Sequence, residues 1–145
     1  MDFVRCFTDG AWQKETLNAR IGWVIEIPNF KRKLQKSDYV VFVGSPLIAE
    51  AIAIKMALAD AIDLEIRKLC VASDSKSLIQ TITTKTLCPK IYGVLLDIFN
   101  LISFFSEIRF MYVPREANAQ ADALAKRALE GIERDQPRNV RDSFS

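Results

Sequence analysis

The chain has 145 residues, 50% of them hydrophobic and 26% charged, with a formal net charge of +2. That is long enough for one domain with a real core, and too evenly charged for the whole surface to attract a polyanion, so any nucleic-acid affinity must come from local patches. Cys6, Cys70 and Cys88 are odd in number and lack metal-ligand spacing, and the chain has no histidine, which removes the usual ligands of zinc. Reduced thiols and an intracellular location are expected, with nucleus or cytoplasm left open. No apolar run is long enough to span a bilayer, and the N-terminus has no secretory apolar core, so no membrane association is expected.

Phe3 to Thr8 reads as the first and central strand, with Asp9 at its last inward-facing position and Gly10 behind it. Asp-Gly also signals a tight hairpin. Trp12, Gln13, Lys14 and Glu15 stand before the next apolar run, which favours a longer connection with Asp9 at its mouth. Asn18 to Ile27 is a second strand. Pro28 and the basic run Lys31–Arg32–Lys33 follow as a turn, and Ser37 to Val43 is the third strand. Ser45 suits an N-cap and Pro46 the first position of an apolar helix to Leu64. Arg67 to Ser73 is a short buried strand. Asp74 and Ser75 open a helix through Ile82, and a second helix runs from Ile91 to Phe105. Ile108 to Val113 alternates as a fifth strand, ended by Pro114, and Ala117 to Leu129 is the last helix.

The order βββαβααβα predicts an α/β fold: a mixed five-stranded sheet, three antiparallel strands then parallel additions, with helices on both faces. One domain is expected over residues 1–130, followed by a flexible charged tail over 131–145.

Four carboxylates stand out, each with an ordinary explanation. Glu50 lies early in the first helix on a stripe with Ala53, Ile54 and Ala57, where an acid also complements the helix dipole. Asp74 follows a buried strand, where an N-cap is common. Asp122 lies early in the last helix, again suited to the dipole. Taken jointly they say more. If the fourth strand is parallel to the first, Asp9 and Asp74 finish on the same sheet edge, a usual place for ligands. Two carboxylates about 4 Å apart repel by roughly 4 kcal/mol at an effective dielectric of about 20, so a gathered set demands a cation. All-oxygen ligands suit Mg²⁺ or Mn²⁺, and a pair of such ions suits phosphodiester hydrolysis.

Phe7–Thr8–Asp9–Gly10–Ala11–Trp12, Gly22–Trp23–Val24, Ala49–Glu50–Ala51, Ser73–Asp74–Ser75, and Val113–Pro114–Arg115–Glu116 with Asn118 and Ala121–Asp122–Ala123–Leu124–Ala125–Lys126 together resemble ribonuclease H type 1. The chain is most similar to the plant, retroelement-derived, reverse-transcriptase-associated branch, over roughly Phe3 to Leu129. The resemblance implies an endonuclease that cuts the RNA strand of an RNA–DNA hybrid with two Mg²⁺ ions per site, Mn²⁺ being an alternative. Asp9, Glu50, Asp74 and Asp122 match the metal-binding carboxylates: Asp9 on both ions, Glu50 and Asp74 on the ion nearer the leaving group, Asp122 on the ion that activates the nucleophile. Gly10, Ala11, Trp12, Arg115 and Asn118 would meet nucleic acid, and 2′-hydroxyl contacts would distinguish the hybrid from DNA duplex. A monomer is expected.

The chain departs from the family pattern in three places. It lacks the histidine many members carry before the last helix, where Arg115–Glu116 stand. Ser45, Pro46 and Leu47 stand where well-studied members place Asn or Gln to grip 2′-hydroxyls. Lys85 to Lys90 is a short link with only two lysines where some members have a basic protrusion. These departures keep a second reading open, a catalytically weak or inactive nucleic-acid-binding module. A related exonuclease is disfavoured by Ala11, which stands where that class has a second acid. Trp12 and Trp23 suit packing in the sheet better than stacking on substrate. Lys31, Arg32 and Lys33 could contact phosphate, and suit a solvated hairpin turn with edge-protecting lysines at least as well.

Overall fold

The computed structural model describes residues 3–27 and 32–118. Its elements are β1 (Val4–Gln13), β2 (Asn18–Ile27), β3 (Arg32–Val40), α1 (Pro46–Asp63), β4 (Lys68–Ser73), α2 (Lys76–Thr83), α3 (Tyr92–Ile102) and β5 (Glu107–Tyr112), with 3-10 turns at Pro89–Ile91 and Arg115–Asn118. The strands form one sheet in the order β3-β2-β1-β4-β5. β1, β2 and β3 are antiparallel neighbours, while β4 runs parallel to β1 and β5 parallel to β4. The expected mixed five-stranded sheet is therefore present, with β1 at its centre.

Strand alternation sends Cys6, Ile21, Trp23, Ile25, Leu69 and Val71 into one core with Ile54, Leu58, Leu78, Leu95 and Ile98 of the three helices. α1 packs across β1 and β2 and against α3. Its buried face is mostly alanine (Ala49, Ala51, Ala53, Ala57, Ala61), which lets the helix lie close on the sheet. Ser45 caps it as expected, its Oγ accepting the Ile48 N–H at 3.2 Å, and Pro46 fills the first turn. Asp60 fastens the far half: it accepts from Trp23 Nε1 at 2.9 Å and from Lys36 Nζ at 2.8 Å.

Two sequence expectations are corrected. β1 continues through Asp9 to Gln13 and pairs with β2 to the end, Gln13 opposite Asn18. The reversal is a hairpin four residues beyond the Asp-Gly signal, not a long connection opening at Asp9. Gly10, Ala11 and Trp12 remain in register because Trp12 packs beside Ala19, Val43 and Ala49. The third strand occupies Arg32–Val40 rather than Ser37–Val43. Its polar start is held by cross-strand charge: Lys33 lies opposite Glu26, Nζ to Oε2 3.3 Å, and Arg5 reaches the same carboxylate at 3.2 Å. Val41 and Phe42 are thereby left outside the sheet.

Of the expected helix over 117–129, only residues 117 and 118 are described, at the end of the 3-10 turn Arg115–Asn118; the rest of it and the tail over 131–145 lie outside the described residues. Among the described residues, no helix is long and apolar enough to cross a membrane.

Candidate active site

The β1–β4 ladder ends where Thr8 pairs with Ser73. The next residue on each strand is an acid: Asp9, as β1 continues alone against β2, and Asp74, as the chain leaves β4 for α2. Parallel pairing thus puts both carboxylates at one sheet edge. Glu50 arrives from α1, and the approach is close because Gly10 faces Ala49. A β-carbon on Gly10 would stand 3.0 Å from the Ala49 carbonyl carbon. One oxygen from each of Asp9, Glu50 and Asp74 lies within 4.8 Å of the others.

Neither simple explanation of these acids survives the geometry. Glu50 lies beyond the first turn of α1, which holds no acid, so it is not there for the helix dipole. The residue in the N-cap position of α2 is Ser75, not Asp74. The Ser75 N–H instead turns back to Ser73 Oγ at 3.1 Å, which fixes the corner from which Asp74 projects.

Asp9 is 2% exposed, and the Asp74 side chain is 5% exposed. Burial pushes the Glu50 carboxyl up to about 7; the Asp74 carboxylate adds to the rise, and hydrogen bonds with Ser75 and Asp9 oppose it. Asp74 Oδ2 is buried and accepts no hydrogen bond. Arg115 Nε faces it at 3.7 Å, an ion pair rather than a hydrogen bond. A buried carboxylate oxygen left with acceptor capacity, among three carboxylates this close, is a donor set that fits a hard divalent cation.

The remaining expected site residues fall as follows. Ala11 is buried. Trp12 is half-buried, its Nε1 donating to the Val43 carbonyl at 2.7 Å. Arg115 and Asn118 share the 3-10 turn after β5, with Arg115 exposed. Asp122 lies outside the described residues. Trp23 is core, as packing predicts. The sequence reading missed Ser75, whose hydroxyl reaches Glu50, and Arg20. Arg20 lies opposite Ala11 on the sheet face that also carries Asp9. It is 4% exposed and stacks at 4.0 Å over Tyr39. Burial lowers its pKa to about 10, against Tyr39 and Asp38. A single arginine in a strand gives no signal of burial; only its register opposite Tyr39 does.

The sequence profile of the reverse transcriptase-like family matches residues 7–128. The chain belongs to that family. Its fold is that of ribonuclease H: a ribonuclease H1 of the archaeon Halobacterium salinarum superposes with a TM-score of 0.81 at 26% identity, over 89% of this chain and 98% of that one. An N-terminal ribonuclease H domain of Mycobacterium tuberculosis gives 0.77 at 23% identity, over 86% and 97%. A ribonuclease H1 isolated from compost, in complex with an RNA/DNA hybrid, gives 0.75 at 21% identity, over 98% and 99%. A comparison with curated proteins gave no match.

Proposed function

We propose that this ribonuclease H-like chain is a metal-dependent endonuclease that cuts the RNA strand of RNA–DNA hybrids. The observation that carries this reading is the meeting of Asp9, Glu50 and Asp74 within 4.8 Å, from three separate elements. At that spacing each ionised pair costs about 3–4 kcal/mol at an effective dielectric of about 20. A proton on Glu50 and the nearby Arg115 offset part of that cost, and a bound cation would offset it while all three acids stay ionised. Asp122, early in the expected last helix, is the proposed fourth ligand. Divalent cations held by these carboxylates, Mg²⁺ or Mn²⁺, would supply an activated water and stabilise the leaving oxygen.

The chain's own groups have definable tasks. Asp9 and Asp74 present fixed charge from the rigid edge of the sheet. Glu50 must lose its proton before it can act as a ligand, and the Ser75 hydroxyl orients the carboxylate for that state. Arg115 balances Asp74 and must give way as positive charge enters. Gly10 keeps α1, and so Glu50, at the distance the cluster needs. The solved ribonuclease H1 with an RNA/DNA hybrid supports the choice of substrate, and the sequence resemblance supports a plant, retroelement-derived origin and an intracellular, monomeric protein.

A second reading, a binding module without cleavage, is favoured by Arg115. This residue already supplies a countercharge to Asp74. Cleavage of a labelled RNA–DNA hybrid in Mg²⁺ or Mn²⁺, beside single-stranded RNA, RNA duplex and DNA duplex, separates the two. Hybrid-selective cutting abolished by Asp74→Asn is the expected result. Hybrid binding with no cutting at any metal concentration would leave the binding module.

A further inference from the structure

We propose that Arg20 is a positioning residue for Asp122, and that this pair docks the segment after Asn118 on the sheet face that carries Asp9. The inference rests on the assignment of Asp122 to the carboxylate cluster and adds the group that would hold it there.

Strand alternation sets Asp9, Ala11, Arg20, Gly22 and Val24 on one face of the sheet, with Phe7 and Ala72 beside them. The three described helices bury their apolar side chains in the core on the other face. Ala11, Val24 and Ala72 are nevertheless buried, and none of them belongs to either core cluster. Something other than the described helices covers this face. The chain that runs on from Asn118 is the occupant to which Arg20 points.

Arg20 is 4% exposed, and its Nε and Nη1 are buried and donate to no acceptor among the described residues. Charged donors buried without an acceptor are costly. The guanidinium carbon lies 4.0 Å from the centre of the Tyr39 ring, which fixes its plane. Asp38, next to Tyr39 in β3, turns its Oδ1 to the Tyr39 N–H at 2.7 Å. Burial lowers the Arg20 pKa only to about 10, so the group is a cation at neutral pH. A fixed, buried cation of this kind is matched best by a carboxylate.

Asp122 is the acid that chain geometry brings there. Arg115 Nε stands 3.7 Å from Asp74 Oδ2 at the end of β4. Asp122 follows seven residues later, about 10 Å along a helix. Neighbouring strands are about 4.8 Å apart, so about 10 Å also separates β4 from β2 across β1. Arg20 lies on β2 as a diagonal neighbour of Asp9, about 7–8 Å away. A carboxylate placed between the two reaches the guanidinium while facing Asp9. The later acids, Glu130, Glu133, Asp135 and Asp142, begin about 12 Å of helix further on. Carboxylates that ligate a metal are themselves held by hydrogen bonds, and Arg20 has the donors for that task.

The test is a set of thermal melts of the full chain. In chelator, Asp122→Asn should lower the Tm when Arg20 is present, because it strands a buried cation. In an Arg20→Met background the same change should raise the Tm, since Asp122 is then only a like charge beside Asp9. Arg20→Lys keeps the charge and should keep the sign of the native chain. In Mg²⁺, Arg20→Met should need about 10-fold more metal to raise the Tm, and Arg20→Lys should recover part of that loss. Equal effects of Asp122→Asn in the native and Arg20→Met backgrounds would overturn the pair. A lower Mg²⁺ requirement in Arg20→Met would also overturn it, because Arg20 would then only repel the ion. If Arg20→Met does not fold, the Arg20 Nε–H resonance of the native chain decides. It should shift with Asp122→Asn and not with Asp135→Asn, and a resonance unmoved by Asp122→Asn overturns the proposal. A native Tm indifferent to Mg²⁺, beside a sign reversal in chelator, would uphold the pair and sink the metal assignment instead.

Discussion

Gly10 of β1 stands against Ala49 of α1 with no room for a side chain: a β-carbon would meet the Ala49 carbonyl carbon at 3.0 Å and its β-carbon at 3.1 Å. The neighbour of Gly10 is Asp9 and the neighbour of Ala49 is Glu50, so this backbone contact sets the separation of two of the three clustered acids. Gly10→Ala should push α1 outward by a few tenths of an ångström and cost about 1–2 kcal/mol. Thermal unfolding should show the loss. The increase in Tm on adding metal should shrink as well, because Glu50 moves with the helix.

Metal-free protein should lose stability as pH rises. The Glu50 carboxyl is raised from 4.5 to about 7 in the folded state. A raised acid binds more protons folded than unfolded, so its contribution is complete below about pH 4.5 and is lost as pH climbs through 7. Denaturant unfolding in a chelator, compared between the native chain and Glu50→Gln, isolates this group. The variant should be the more stable of the two above pH 7, with the difference vanishing near pH 5. Millimolar Mg²⁺ should reverse the order, since metal binding favours the deprotonated carboxylate.

Most of this architecture is written in local sequence. Ser45–Pro46 announces α1, the run before Ser73 announces β4, and a parallel β4 was enough to bring Asp9 and Asp74 to one edge. Strand ends were less legible for a physical reason. β1 extends through Asp9 to Gln13 because Trp12 finds its partners, Val43 and Ala49, more than 30 residues away, and no local window carries that information. The start of β3 is polar, and its strand character comes from Glu26 across the ladder. Burial of Arg20 and exposure of Phe42 were invisible for the same reason: both follow from strand register and loop anchoring, not from residue type.

Asp60 should matter more than its position on a helix suggests. It accepts from Trp23 Nε1 and Lys36 Nζ at 2.9 and 2.8 Å, and its side chain is 13% exposed. Replacing it with alanine removes a charge-assisted bond and leaves two donors to find water near the core. The expected cost is about 2–3 kcal/mol. Asp60→Asn keeps the shape and one acceptor, and should recover about half of that. Equal stability of Asp60→Ala and the native chain in denaturant unfolding would show that α1 is held by its alanine face alone.

Arg115 occupies the side of Asp74 where the proposed cation would bind, so the two would compete for one carboxylate. Arg115 Nε stands 3.7 Å from Asp74 Oδ2, and the arginine side chain is 65% exposed, so it can swing into water at little cost. Removing it leaves Asp74 with less positive charge nearby, and a divalent ion should then be favoured. Arg115→Ala is expected to lower the Mg²⁺ concentration at which the Tm begins to rise, by about 3- to 10-fold, while slightly reducing the Tm in chelator. Asp74→Asn should show the opposite pattern, a higher metal-free Tm and a smaller rise with Mg²⁺, because it removes like-charge repulsion together with a ligand. If Arg115→Ala leaves the metal titration unchanged, the ion does not sit on the Asp74 side of the cluster. The ligands would then be Asp9, Glu50 and residues beyond 118.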